Sequence, residues 1–454
     1  MRQGDRKCSS GRKAGPYLAC AALLVLPGCL PGMDGTGVSR MLMPDTSVVA
    51  EGLDPGDTGQ AGAEASELLN DLMGRRSALP DGSVMDSVAG AVLAADSRPA
   101  AAALRSARLR ARAQSRNWLP SIGPQVSLSS LGSVVAMLVV EQVIFDNGRK
   151  KAERDFAKAD VEVAAVTLVQ DSNARVLAAL TLYLAAREAR DKAALARAAE
   201  RDMAHFEWIM SERVAGGISD QSDLQVLRQK LAEIRSTVQR EDEAAGAALA
   251  ELSAMGVDPA LLDGAAMSRG GLASLRLPDP APVPLPVRMA EAEQERAMAR
   301  ARIDRAGFLP TLSANAALGR GAPDPTLDIR TARPLGFGTG DDMRAIEAAT
   351  EGERRKVAQA REETERRLRR LQQERGALAR QAQEGAELTS RAKANLDLFQ
   401  AQYDAGQRQV MDVVGLYEQF ARQQQEAAAL VYRAMQAELQ IAAELGLLAD
   451  GDKL

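Results

Sequence analysis

The sequence predicts a mainly α-helical fold with a membrane β-barrel, in which a unit of one β-hairpin plus one long helical hairpin is duplicated. Three observations predict it. The 454 residues are only 3% aromatic and include one histidine, while Ala, Arg, Glu and Gln fill long stretches, a mixture typical of long packed helices. Two blocks of alternating apolar residues interrupt the helical pattern. Blocks and helical runs recur in the same order along the chain.

The N-terminal segment is interpreted as a targeting signal. Residues 1–28 place basic residues before a short apolar run, which is the pattern of a signal peptide. The run ends in Leu-Pro-Gly-Cys29, which resembles a bacterial lipobox, so we expect Cys29 to be lipidated. An ordinary cleaved signal peptide is the alternative. Residues 29–82 begin with a stretch rich in Gly, Asp, Ser and Pro, and we predict a lipidated N-terminal tether and lead-in there.

The rest of the chain repeats itself at an interval of about 190 residues. Four motifs return in order: Trp118-Leu119-Pro120 as Phe308-Leu309-Pro310, Phe145-Asp146-Asn147-Gly148 as Phe337-Gly338-Thr339-Gly340, Arg213-Val214-Ala215-Gly216 as Tyr403-Asp404-Ala405-Gly406, and Met255-Gly256 as Leu445-Gly446. We therefore predict a first repeat at 83–256 and a second at 287–448. A linker at 257–286 joins them, and a C-terminal tail follows at 449–454.

Each repeat is predicted to contain a strand hairpin, at 119–145 and at 309–337, long enough for two membrane-crossing strands of about 9–11 residues. The second arm from Thr326 is weaker because Pro334 and Gly336 interrupt it. Apolar residues alternate in both hairpins: Ile122, Val126 and Leu128, and then Leu312, Ala314, Ala316 and Leu318. The helix-proximal strand ends carry aromatic residues that form either a belt at a membrane surface or ordinary core contacts: Trp118, Phe145, Phe308 and Phe337.

A helical hairpin is predicted after each strand hairpin, at 148–256 and at 340–448. Residues 148–216 contain no proline and no internal turn signal, so they predict one helix of roughly 100 Å at about 1.5 Å per residue. Its apolar face is predicted at Val161, Ala165, Leu168, Ser172, Val176, Ala179 and Tyr183. The last helix carries a heptad pattern: Val413, Tyr417, Phe420, Gln424, Ala427, Val431, Ala434, Glu438, Ile441, Leu445 and Leu448.

These motifs together resemble those of TolC-like outer membrane factors of the lipoprotein type. The resemblance covers about residues 83–448 and rests on Leu-Pro before each strand hairpin, Phe-x-x-Gly after it, and an Arg- or Tyr-x-x-Gly turn with a later aspartate. It implies a homotrimer in the bacterial outer membrane. Each protomer would contribute four strands to one 12-stranded barrel that is continuous with an α-helical periplasmic tunnel.

The resemblance also implies a function, namely the exit duct of a tripartite efflux pump or of a type I secretion system. The implied partners are outer membrane lipid, a periplasmic adaptor (membrane fusion) protein and an inner-membrane ABC or RND-type transporter. A periplasmic coiled-coil adaptor or a structural lipoprotein of the cell envelope is the alternative. The sequence does not indicate whether a drug, a metal or a protein is exported.

The second helical turn resembles the periplasmic gate of that family. The family spacing Tyr-x-x-Gly-x-Arg-x-x-x-Asp is reproduced by four residues, called the gate residues below: Tyr403, Gly406, Arg408 and Asp412. The resemblance implies that the tyrosine and the arginine hold the turn closed, and that a ring of three aspartates favours cations. A further family aspartate is replaced here by Gly415. A capped helical hairpin without a gate is the alternative.

The first helical turn resembles the family's other tip, which commonly meets the adaptor. Its best-placed positions are called the tip residues below: Arg213, Gly217, Ser219 and Asp223. A plain helix–turn–helix connection is the alternative.

No enzyme, cofactor or metal site is predicted. The one histidine, His205, has no second metal ligand at a useful spacing, and the sequence has no Ser-His-Asp set and no phosphate-binding loop. The net charge of −4 gives no indication of a nucleic-acid partner.

Overall fold

The computed structural model describes residues 66–95, 99–129, 133–258, 274–318 and 324–451. The predicted signal peptide and Cys29 lie outside the described residues, as do most of the tether and half of the linker. The strands are β1 (Ser121–Ser129), β2 (Ser133–Phe145), β3 (Pro310–Leu318) and β4 (Asp324–Thr331). The helices are α1 (Glu67–Met73), α2 (Val84–Ala94), α3 (Pro99–Ser115), α4 (Arg149–Ala215), α5 (Gln221–Ala254), α6 (Leu285–Ala306), α7 (Thr339–Asp404) and α8 (Val410–Glu444).

The same order of elements occurs twice. Elements α3, β1, β2, α4 and α5 are followed by α6, β3, β4, α7 and α8. The prediction of a mainly helical fold with a small antiparallel sheet is confirmed. Helix α4 contacts α3, α5, α6 and α8, so it connects the two copies of the unit.

One antiparallel sheet contains all four strands, in the order β1-β2-β3-β4. A register shift between Val143 and Phe145 marks a β-bulge at the helix-proximal end of β2. The predicted hairpin at 309–337 is too long, because β4 ends at Thr331, before Pro334. Proline has no N–H to donate to a strand ladder, so the chain leaves the sheet there.

Helix α4 runs for 67 residues without a break, as its lack of proline and glycine predicts. Six of its seven predicted core positions are buried, and Val161 is partly buried. The heptad predicted for α8 is correct at Val413 and Tyr417 but wrong at Val431, which is exposed while Tyr432 is buried. The mismatch is local, because the predicted position Ile441 in the last turns of α8 is buried again.

The lead-in before the first repeat is folded where the structure describes it, which corrects the prediction of an irregular tether up to residue 82. Helix α1 buries Leu68 and Leu72, which are one helical turn apart. Arg75 is buried and donates to the carbonyl of Leu445 (2.6 Å) and to Asp71 (2.8 Å), because a buried guanidinium needs such partners.

The predicted tail at 449–454 is also packed in its described part. Ala449 is buried, and the backbone N–H of Gly451 donates to the carbonyl of Arg75 (2.9 Å). The start of the described unit and its end therefore hold each other. No helix in the described residues is both long enough and apolar enough to cross a lipid bilayer.

Candidate functional site

The sheet has one apolar face that is largely exposed. Side chains alternate along a strand, and directly paired residues of neighbouring strands share a face. By the observed register, one face collects most of the large exposed apolar side chains of the sheet outside the bulge at 143–145: Ile122, Val126, Leu138, Leu318, Leu327 and Ile329. Ile329 is 76% exposed, and Ile122 is 65% exposed. Leu312, Ala314 and Ala316 also lie on this face, so the residues that alternate in the sequence share one side of the sheet.

The opposite face of the sheet carries the polar residues. Arg330 of β4 forms an ion pair with Glu141 of β2 across β3. Asn315 donates from Nδ2 to Asp328 Oδ2 (2.6 Å), whereas Ser313 on the same face is fully buried and its Oγ has no hydrogen-bond partner among the described residues. A sheet that exposes apolar side chains on one face and bonds polar ones on the other is suited to separate lipid from water.

The aromatic residues at the strand ends do not behave alike. Trp118, Phe145 and Phe337 are exposed near the junction of strands and helices. Phe308 is buried, and the guanidinium of Arg333 lies 5.2 Å from its ring centre. Phe308 is therefore a core residue, and the prediction of a belt now concerns only the other three aromatic residues.

The two helical turns have the same backbone geometry. Gly217 has φ +71° and Gly406 has φ +75°, in the left-handed region that favours glycine. In the first turn the N–H of Ile218 donates to the carbonyl of Arg213 (2.8 Å). In the second, the N–H of Gln407 donates to the carbonyl of Gln402 (2.9 Å). Both helices thus end in the glycine-closed motif.

This geometry corrects the alignment of the two repeats. The glycines match Gly217 with Gly406, and the same register matches Asp223 with Asp412. Arg213 then corresponds to Gln402, so its pairing with Tyr403 in the sequence motif is one position off. The error arose because residues 216 and 217 are both glycine and only the second has positive φ.

Equivalent side chains close both turns, with donor and acceptor exchanged. Arg213 Nε donates to Ser219 Oγ (3.2 Å) in the first turn. In the second, Arg408 Nε donates to Gln402 Oε1 (3.1 Å). Arg408 corresponds to Ser219 in the corrected register. The arginine therefore lies before the turn glycine in the first hairpin and after it in the second, although the two bridges join equivalent positions.

The gate residues lie in one turn, and the backbone N–H of Gly406 donates to the carbonyl of Tyr403 (2.8 Å), but their side chains do not bond to one another in the described protomer. The guanidinium of Arg408 lies 4.5 Å from the ring centre of Phe399, and Tyr403 packs against the apolar cluster behind the turn. Asp412 is exposed in the first turn of α8. Among the described residues, no salt bridge joins Arg408 to Asp412. Arg408 is thus held by its own hairpin.

The two turns lie side by side. A cleft of about 400 Å³ is lined by all four tip residues and, from the second hairpin, by Gln409, Val410 and Met411. The first turn therefore faces residues 409–411 across this cleft, the segment that lies between the gate residues Arg408 and Asp412.

Two buried tyrosines that sequence reasoning did not select join the hairpins. Tyr417 of α8 donates to Asp202 Oδ2 of α4 (2.5 Å), and Tyr432 of α8 donates to Asp191 of α4. Burial raises the pKa of both tyrosines above the ordinary 10.0, and the hydrogen bonds to the carboxylates act in the same direction. Both hydroxyls are therefore firmly protonated donors at neutral pH. The sequence indicated only one of them in advance, since Tyr417 occupies a core position of the predicted heptad and Tyr432 does not.

His205 stacks on Trp208, with ring centres 6.0 Å apart. Within the described ranges, no group of His, Cys, Asp and Glu side chains could hold a metal ion.

Solved structures of bacterial membrane proteins share this fold. A membrane protein from Pseudomonas aeruginosa aligns with a TM-score of 0.69 and 17% identity over 88% of this chain and 98% of its own. The outer membrane protein VceC from Vibrio cholerae aligns with a TM-score of 0.66 and 17% identity over 80% and 96%. The CmeC outer membrane channel of Campylobacter jejuni aligns with a TM-score of 0.66 and 11% identity over 84% and 86%. No protein-family model and no curated protein sequence matches the chain. The chain thus has the fold of outer membrane channels.

Proposed function

We propose that this chain is an outer membrane channel of the TolC-like outer membrane factor family, the exit duct of a tripartite efflux pump or a type I secretion system. The main support for this proposal is the difference between the two faces of the sheet. Its exposed apolar face suits lipid, and its bonded polar face suits a water-filled lumen. The alternative of a coiled-coil adaptor or structural lipoprotein gives this sheet no role.

The channel would form as a homotrimer. Strands β1 and β4 are the outer members of the sheet in one protomer, and unpaired strand edges are costly in lipid. Three copies would pair β4 of one protomer with β1 of the next and close a 12-stranded barrel, an even number in the usual range. The α-helices would continue the barrel as a periplasmic tunnel.

The gate residues would control the periplasmic end of that tunnel. Tyr403 and Arg408 would hold the second turn closed, and three copies of Asp412 would form a ring that attracts cations. The exposure of Asp412 and the short distance between the two turns support this role. The tip residues would meet a periplasmic adaptor protein, which connects the duct to an inner-membrane ABC or RND-type transporter.

Lipidation of Cys29 would anchor the N-terminus in the outer membrane. The support is the basic and apolar sequence that precedes this cysteine. Replacement of Cys29 by serine should abolish labelling with a radioactive fatty acid, and labelling of Cys29→Ser at the wild-type level would contradict the proposal.

Planar-bilayer recording of the full chain purified in detergent tests the proposed function. We expect trimers that produce discrete single-channel conductance. A protein that is monomeric and produces no conductance would overturn the proposal.

A further inference from the structure

A basic groove lies where the strands meet the helices. It has a volume of about 490 Å³ and lies between the start of α4 and the end of α6. Lys151, Arg302 and Arg305 supply its positive charge, and Asp155 supplies a negative one. Arg302 is 3.8 Å from Asp155. The side chains of Lys151 and Arg305 have neither a hydrogen bond nor an ion pair with any described residue, and both are exposed.

The groove continues over an apolar floor towards α7. A smaller depression next to it shares Arg302 and Arg305 and is otherwise lined partly by Met298, Met343 and Ile346. Leu309 lines the main groove at the end nearest the strands. Unpaired cations beside apolar side chains suit a ligand that is anionic at one end and apolar at the other.

The position of the groove relative to the sheet indicates what it faces. A separate depression on the polar side of the sheet is lined by Glu141 and Arg330 and by Arg149, Lys150 and Glu153 of α4. The basic groove is lined by a different set of residues at the start of α4, namely Gly148, Lys151 and Asp155. At about 100° per residue, these two sets lie on opposite flanks of α4. The groove therefore lies on the side of the exposed apolar face.

We propose that this groove binds the headgroup of an anionic phospholipid in the periplasm-facing leaflet of the outer membrane. The inference rests on the proposed function, which puts the apolar face of the sheet in lipid and the strand ends at headgroup depth. Lys151 and Arg305 bond the lipid phosphate, and the acyl chains lie along the apolar face beyond Leu309. The exposed Phe145, which is paired with Leu312 on that face, marks the same membrane boundary.

Native mass spectrometry of the full chain in detergent tests this binding with two lipids, phosphatidylglycerol and zwitterionic phosphatidylethanolamine. The wild-type protein should retain phosphatidylglycerol preferentially. The double variant Lys151→Gln/Arg305→Gln should bind phosphatidylglycerol with an apparent affinity at least about ten-fold lower, since each basic residue near a membrane surface strengthens the attraction to anionic lipid. Retention of phosphatidylethanolamine should not change.

Two controls accompany the test. Arg391→Gln/Lys393→Gln also removes two positive charges, but from exposed positions of α7 far from the sheet, and should leave lipid retention at the wild-type level. Lys151→Arg/Arg305→Lys keeps the charge and should keep the preference. Equal retention of the two lipids by the wild type, or unchanged retention by the Lys151→Gln/Arg305→Gln variant, would overturn the inference. A conducting trimer with either result would leave the proposed function intact, whereas a non-conducting monomer would contradict that function.

Discussion

Single residues decide how each helical turn is closed. The bridge from Arg213 to Ser219 and the bridge from Arg408 to Gln402 span the same number of residues and occupy equivalent positions. They differ in which side of the turn carries the arginine. In the second turn the arginine precedes α8, and its guanidinium also stacks on the ring of Phe399.

Loss of the gate contacts should open the channel without unfolding it. Exposed polar contacts contribute on the order of 1 kcal/mol each, which is enough to shift a closed–open balance but not to disrupt a trimer. Tyr403→Phe with Arg408→Ser should therefore raise single-channel conductance in planar bilayers. Arg213→Ser removes the equivalent bridge of the first turn and should leave conductance unchanged. Wild-type conductance in the Tyr403→Phe/Arg408→Ser variant would show that the channel is closed elsewhere.

The charge of Asp412 should set ion preference. Asp412→Ala removes three carboxylates from the trimer, so we expect weaker cation selectivity, measured as a reversal potential under a salt gradient. Asp342→Ala makes the same change at the opposite end of α7, where no effect is expected. An unchanged reversal potential for Asp412→Ala would exclude the aspartate ring as the selective element.

Glycine is required at the two turns for its backbone conformation. A Cβ at Gly217 or Gly406 would meet no atom within 4 Å, so only the positive φ opposes a side chain. Gly217→Ala and Gly406→Ala should each destabilise the folded chain by about 1–2 kcal/mol. Gly415→Ala is the matched control, because this glycine lies inside α8 with open space around it, and alanine there should stabilise by up to about 1 kcal/mol. Thermal melting in detergent measures all three, and equal effects at Gly406 and Gly415 would contradict this reasoning.

At the scale of elements, the contacts between α4 and α8 hold the two helical hairpins together. Tyr417 and Tyr432 donate to carboxylates of α4, and Lys230 of α5 pairs with Glu418 of α8 (2.5 Å). These contacts lie behind the turns, between the tip and the middle of the helices. The two hairpins are therefore joined at points behind their turns.

The buried tyrosines should make stability depend on alkaline pH. Below about pH 10 the hydroxyls are protonated in both the folded and the unfolded chain, and the full stabilisation is present. Above that pH the unfolded chain loses the protons while the folded chain keeps them, because burial raises the folded pKa. Above about pH 10 the melting temperature should therefore fall by more in the wild type than in Tyr417→Phe/Tyr432→Phe, whereas between pH 8 and pH 10 the two proteins should change alike. An equal fall in both proteins would show that other groups govern the alkaline loss.

The sequence predicted elements best where one physical pattern acted alone. The alternation at Leu312, Ala314 and Ala316 identified the apolar face of the sheet, since only a strand places every second residue on one side. The role of Phe308 was ambiguous, because an aromatic residue at a strand end can face lipid or core. Its burial next to Arg333, which follows β4, is a tertiary contact that the local sequence does not indicate. The bridges at the turns, and the hydrogen bond from Tyr432 to Asp191, join residues that carry no mutual signal in a single sequence.

At the scale of the whole molecule, one protomer leaves its sheet open at β1 and β4. Four strands are fewer than the about eight that membrane barrels need, so insertion into lipid should require assembly. Mass photometry of the membrane-extracted protein should detect trimers as the smallest inserted species. Membrane-inserted monomers would contradict the shared barrel.

Helices α4 and α7 contain 67 and 66 residues, and each runs from the sheet to a glycine turn. Both turns therefore lie at the same distance from the sheet, as their common cleft requires. Seven residues inserted into each arm of one hairpin alone would move its turn outward by about 10 Å and separate it from the other turn. Length can thus change only in both repeats together. In the proposed channel, the distance from the barrel to the periplasmic tip is accordingly fixed by two matching residue counts, one between strand and turn in each repeat.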